Sequence, residues 1–222
     1  MNEDEVHLPR VGLPLRWAAT PESWSIVEDD RLHLGTRDDR RGEAVDRSAL
    51  RIAAGARTDL FVDPLGEPAV LNAPRLLGTP VGDFQLSARV AVDFVTDFDA
   101  GVLVLWADTK CWAKLCFEFS PQGQPMVVSV VNRNVSDDAN AFDVDDRTVW
   151  LRISRLGGGY GFHASTDGKF WRFVRNFALY HLAGVTVQVG FEAQSPIGDG
   201  CAATFSDVVY VEERLAELRS GI

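Results

Sequence analysis

Alternation with a period of two runs through most of this chain, and it leaves little room for anything but strands. Phe84, Leu86, Ala88, Val90, Val92 and Phe94 alternate with Gln85, Ser87, Arg89, Ala91 and Asp93, the pattern of a strand with one face buried and the other wet. Residues 101–107 are instead an unbroken apolar run, as expected for a central strand covered on both faces. Residues 112–119, 126–132, 149–155, 160–165, 170–174, 185–193 and 202–211 continue the series. Turn signals separate these runs roughly every ten residues, among them Asp108-Thr109-Lys110, Gly157-Gly158-Gly159 and Asp167-Gly168. Residues 13–80 are less regular, with turns at Gly35, Gly55 and Pro64-Leu65-Gly66. One helical segment stands out at 212–219, where Leu215 and Leu218 are three apart. The expectation is one all-β domain over 13–211, two antiparallel sheets face to face in jelly-roll style. An N-terminal tail, 1–12, precedes it, and a short helix and C-terminal tail, 212–222, follow.

Charge narrows the partners. With 22 Lys+Arg against 32 Asp+Glu the chain carries −10 over 222 residues, so it repels phosphate backbones and anionic lipid. Nucleic acid and membrane surfaces are therefore not expected as partners. The basic cluster Arg37, Arg40 and Arg41 is interleaved with Asp38 and Asp39 and forms no nucleic-acid patch. No apolar run approaches the ~20 residues of a membrane span. The acidic opening MNEDEVHLPR has no positive n-region, so a cytoplasmic protein is expected. Cys111, Cys116 and Cys201 are odd in number and lack CxxC spacing; they read as buried thiols in a reducing compartment. Neither a cofactor nor a metal is expected. The acidic stretch 134–146, with Asp137, Asp138, Asp143, Asp145 and Asp146, reads as a solvated loop without calcium-loop spacing. The histidines His7, His33, His163 and His181 are scattered, and none adjoins a nucleophile turn.

Strand parity separates chemistry from core. In residues 112–119, Ala113, Leu115, Phe117 and Phe119 form one face, and Trp112, Lys114, Cys116 and Glu118 the other. Lys114 and Glu118 lie ~13 Å apart along the strand and do not pair with each other, so each needs another partner or a ligand. Arg152 points away from Leu151 and Ile153; His163 shares a face with Ser165; Glu192 shares one with Gln188. If these outward faces belong to one sheet, Lys114, Glu118, Arg152, His163 and Glu192 converge on one polar concavity beside Trp112. If they lie on different sheets, they do not. An aromatic platform with fixed polar groups suits a sugar ring, which has an apolar C–H face and a rim of hydroxyls. The ligand-binding expectation is Trp112, Lys114, Glu118, Arg152, His163 and Glu192, with a small carbohydrate as partner. The segment Ser165-Thr166-Asp167-Gly168-Lys169-Phe170-Trp171 resembles a shortened Asp-box whose role is structural.

The stretch Asp99-Ala100-Gly101-Val102-Leu103-Val104-Leu105, followed by Trp112-Ala113-Lys114-Leu115-Cys116-Phe117-Glu118, resembles the core of an uncharacterised family. That family lies in the concanavalin A-like lectin/glucanase superfamily and includes the regulation-of-enolase protein. Thr58-Asp59-Leu60-Phe61, Gly82-Asp83-Phe84, Val130-Val131-Asn132, Trp150-Leu151-Arg152, Ser195-Pro196 and Phe205-Ser206-Asp207 match in order. The resemblance spans roughly residues 14–211 and implies a concanavalin A-like jelly roll. It departs at Ser136-Asp137-Asp138-Ala139, where the family has Ser-Asp-Trp-Ser, so an aromatic is missing there. The superfamily's glucanases carry Glu-x-Asp-x-x-Glu on one strand, which no candidate strand here contains. A binding module is therefore the first reading. The alternatives are an enzyme acting on a sugar or sugar derivative through the same groups, and a protein-interaction sandwich without a small ligand.

Overall fold

The computed structural model describes residues 5–9, 11–28, 48–179 and 185–222. Gly35, His33, His181 and the basic cluster at 37–41 lie outside them. The alternating segments pair into two large antiparallel sheets. The front sheet has eight strands, in the order β1 (Glu5–Val6), β2 (Leu15–Ala19), β7 (Arg75–Gly78), β16 (Gln188–Gln194), β9 (Ala100–Asp108), β10 (Cys111–Phe119), β11 (Pro125–Arg133) and β12 (Ser136–Asp143). The back sheet has seven, in the order β15 (Arg172–Phe177), β14 (Gly159–Ser165), β13 (Thr148–Leu156), β8 (Phe84–Val92), β17 (Gly200–Val211), β4 (Ser48–Gly55) and β3 (Ser23–Glu28). A two-stranded ribbon, β5 (Leu60–Phe61) and β6 (Val70–Leu71), completes the set. No helix occurs among the described residues, and so none there is long and apolar enough to cross a membrane.

The inner faces fill one core. Leu103, Leu105, Leu115, Phe117 and Phe191 from the front meet Val90, Leu151, Ile153, Phe162 and Phe205 from the back. At Gly101 the sheets approach so closely that a Cβ would lie 2.6 Å from Val90 Cγ1 and 3.0 Å from Ala203 Cβ. The unbroken apolar run of β9 has its reason in a second cluster. Val102 and Val104 point out of the sandwich, yet they are buried with Leu60, Ala73, Trp112 and Cys116 beneath the ribbon. The ribbon is pinned at both ends of its span. Thr58 and Ser195 exchange backbone hydrogen bonds of 3.2 and 3.1 Å. Val62 accepts from the Ser136 amide and donates to Ser136 Oγ, both at 2.9 Å. All three cysteines are free and buried.

Three expectations are corrected. Within the tail expected at 1–12, Glu5–Val6 pairs with β2, and Val6, Leu8 and Val11 join the core, because apolar side chains recur there. The helix expected over 212–219 is a set of turns: Leu215 is buried, and the Glu217 carboxylate accepts the Arg219 and Ser220 amides. Eight residues are also well below the ~12–15 at which a lone helix becomes stable. The acidic stretch at 134–146 is largely an edge strand, β12, paired with β11. The Asp-box-like turn is structural as expected. Asp167 Oδ1 accepts the Lys169 and Phe170 amides at 2.8 Å, and Gly168 takes φ +70 directly over the Trp150 ring.

Candidate functional site

Register places the polar side chains of the front sheet's outer face. Lys114 is level with Val104 and Gly190 on one side and Val130 and Asp138 on the other. Cys116 is level with Val102 and Glu192; Glu118 is level with Ala100 and Gln194. Arg75 pairs with Glu192 across the β7–β16 ladder. Lys114, Glu118 and Glu192 therefore share one face, as parity suggested.

The ribbon decides what each of them does. Asp59, at its entry, holds Lys114 Nζ at 3.0 Å, and Lys114 also donates to Gln194 Oε1 at 2.7 Å. Gln194 is fixed in turn by donating to the Phe98 carbonyl at 3.2 Å. Behind these groups Asp99 accepts from Ser195 Oγ at 2.6 Å and from the Val95 and Thr96 amides at 2.9 Å, locking the Phe98 turn to the end of β16. Burial alone would lower the Lys114 pKa, but Asp59 leads the acidic neighbours that outweigh it, so the ammonium is held above the ordinary lysine range.

Beside this bridge opens a cavity of about 520 Å³, within the usual size range of small-molecule sites. Its floor is the apolar strip Met126, Val128 and Val130, with Phe61 and Phe98 at the walls. Lys114, Asp59 and Gln194 close one side, and Glu118, Asp138 and Asn140 also line it. Glu118 reaches the cavity while packed by protein on nearly every other side. Burial pushes its carboxyl up to about 7, against the pull of Lys114 and with Asp59 and Asp138 adding. Among the described residues neither the Glu118 nor the Asp138 side chain has a hydrogen-bond partner.

Glu192 faces the same way but lies beneath this surface. It is fully buried, and neither carboxylate oxygen accepts a hydrogen bond. Burial pushes it up to about 7, against Lys114 and Arg75. Trp112 shares the face but not the cavity: it is fully buried under the ribbon and is no exposed stacking platform. Arg152 and His163 belong to the back sheet and do not converge with the others. Arg152 Nη2 donates to the Gly221 carbonyl at 2.6 Å, with its guanidinium 4.2 Å over the Trp171 ring. His163 Nε2 meets the Leu218 carbonyl at 2.7 Å. Both hold the segment 212–222 on the back sheet's outer face. Parity gives the face of a residue but not its sheet, and that is where the expectation failed.

Asp59, Phe61, Phe98 and Gln194 were not anticipated as site residues. Gln194 had a signal, sharing parity with Glu192 two positions earlier. Asp59 and Phe61 stood in the matched motif Thr58-Asp59-Leu60-Phe61. Phe98 sits in a turn with φ +68, which no periodicity marks. Among the described residues no group of three or more His, Cys, Asp or Glu is placed to hold a metal ion.

A family model described as a protein of unknown function, DUF1349, matches residues 37–212. The chain belongs to the DUF1349 family. A search of the curated proteins found no match. Among solved structures the DUF1349 chain is similar to a functionally unknown protein from Saccharomyces cerevisiae, with TM-score 0.71 and 21% identity over 89% of this chain and 95% of that one. It is also similar to a GH43 protein from Bacillus licheniformis, with TM-score 0.62 and 16% identity over 89% of this chain but 36% of that one. A xylan β-1,4-xylosidase from Bacillus halodurans gives TM-score 0.60 and 13% identity over 73% of this chain and 32% of that one. The chain thus spans about a third of each of these two proteins. At such identities the likeness is one of fold.

Proposed function

We propose that this chain is a carbohydrate-binding β-sandwich module whose ligand occupies the outer-face cavity of the front sheet. The observation that carries this reading is the cavity's two-sided chemistry. An apolar floor with two aromatic walls is edged by groups whose hydrogen-bonding capacity is not used among the described residues: Glu118, Asp138 and one of the three Lys114 N–H donors. A sugar ring has the complementary surface. Likeness in fold to GH43 proteins supports a sugar-related setting. A recessed cavity suits a small ligand better than a flat protein partner, which weighs against a purely regulatory role like that of the regulation-of-enolase protein. Three free buried thiols fit the cytoplasm, and the charge of −10 disfavours nucleic acid and membrane surfaces.

Calorimetry over a panel of mono- and oligosaccharides tests the reading. A hit is expected that Phe61→Ala and Glu118→Gln weaken at least tenfold, while Arg152→Ala leaves it intact. A panel without a hit, or variants that bind equally, would remove the site assignment.

One observation favours catalysis as a second reading. A carboxyl held near 7, like that of Glu118, can serve as a general acid at neutral pH, with Asp59 or Asp138 as the second carboxylate. Lys114, held as an ammonium, is neither base nor nucleophile. Turnover of chromogenic glycosides that Glu118→Gln abolishes, with binding retained, would establish it.

A further inference from the structure

What charge a ligand can bring follows from which of the cavity's own charges are already engaged. Three acidic side chains line it, Asp59, Glu118 and Asp138, against one cation, Lys114. That cation is neutralised in place, 3.0 Å from Asp59 Oδ1. Arg75 lies on the same outer face, two strands away across β16 and β9. It is turned to the ribbon, donating to the Ala73 carbonyl at 2.8 Å with its guanidinium 4.4 Å over the Trp106 ring, and it is not part of the cavity wall. Among the described residues Glu118 and Asp138 remain without hydrogen-bond partners. Phe61 and Phe98 add uncharged surface. The unengaged features of the cavity lining are thus acidic or neutral, apart from the remaining Lys114 N–H.

We propose that the cavity selects its sugar by charge, accepting a neutral or amino-bearing ring and rejecting a uronate. This rests on the carbohydrate reading and adds a substrate class to it. A carboxylate entering here would lose its water beside Glu118 and Asp138, and the one cation among the described lining residues, Lys114, is already bridged to Asp59. An amine would meet two unpaired carboxylates instead. Discrimination would come from repulsion as much as attraction.

The test is calorimetric titration at pH 7.5 and low salt with matched neutral, 2-amino and uronate oligosaccharides of the gluco, galacto and manno series. The expected order is amino at least equal to neutral, with the uronate of the binding series at least tenfold weaker. Glu118→Gln combined with Asp138→Asn should narrow the uronate deficit severalfold, with an unchanged melting temperature as the control for folding. A uronate that binds as well as its neutral counterpart overturns charge selection and leaves the carbohydrate reading standing. A deficit unchanged in the double variant overturns the assignment of the repulsion to these carboxylates. No binding in any series overturns both this inference and the reading beneath it.

Discussion

The two outer faces of the sandwich carry the same kind of sequence, strands with polar side chains turned away from the core, and they end up in opposite states. On the back sheet, Arg152 and His163 are capped by backbone carbonyls of Gly221 and Leu218, and Arg219 stacks on Phe173 at 4.5 Å. That face is closed by the chain itself. On the front sheet the ribbon covers only part of the surface. It buries Trp112 and Glu192 and leaves Glu118 and Asp138 facing a cavity. A polar outward face becomes a site only where the covering segment stops short of it.

The largest test of this contrast is Lys114→Met. Removing one partner of a buried pair strands the other. With Asp59 deprived of its counter-ion, a loss of about 3–5 kcal/mol in denaturant unfolding is expected. A loss under about 1 kcal/mol would mean that the bridge does not hold the ribbon down.

Next comes the pH response, which differs in sign between the faces. Glu192 is raised in the folded state above the 4.5 of an ordinary glutamate. Its neutral form is favoured by folding, so its contribution is full below about 4.5 and is lost as pH rises to about 7. Lys114, Arg75 and Asp59 are the charges around it. Glu192→Gln should remove a share of that loss on the order of 3 kcal/mol, read from stability measured between pH 4 and 8. An unchanged slope would show that Glu192 is not the titrating group. His163 is displaced the other way: burial lowers it, the Leu218 carbonyl and Glu217 oppose, and Arg152 adds to the lowering. A depressed base contributes above its unfolded value, about 6.5, and the contribution is lost as pH falls. Hydrogen exchange in 212–222 should therefore quicken in acid. His163→Phe should cost about 1 kcal/mol and abolish that acid sensitivity while the sugar binding proposed for the front face persists. Loss of binding in this variant would mean that the faces are coupled.

Much of the fold was legible because burial on a sheet repeats every second residue. The strand at 101–107 was readable as covered on both sides, although what covers it, a ribbon forty residues upstream in an irregular stretch, was not. Lys114, Glu118 and Glu192 were placed on a common face because β10 and β16 flank the same strand, β9. Arg152 and His163 obey the same parity, but pairing order assigns them to the other sheet, and parity carries no pairing order. Trp112 shows a second limit. Direction is local, whereas burial depends on a segment brought back from far along the chain. Leu215 and Leu218 fit a helical spacing, yet tertiary contacts with the back sheet overrode so short a segment.

The acidic edge strand β12 has a consequence for the molecule in concentrated solution. Its outer margin presents backbone donors and acceptors that could template another strand, the route by which sheets grow into fibres. Asp137, Asp138 and Asp143 put several like charges along eight residues of that margin, and of these Asp137 is paired with Arg175 at 2.9 Å. A second copy laid alongside in register would bring carboxylate against carboxylate. Asp138, which also lines the cavity, thus helps to guard this edge against its own kind.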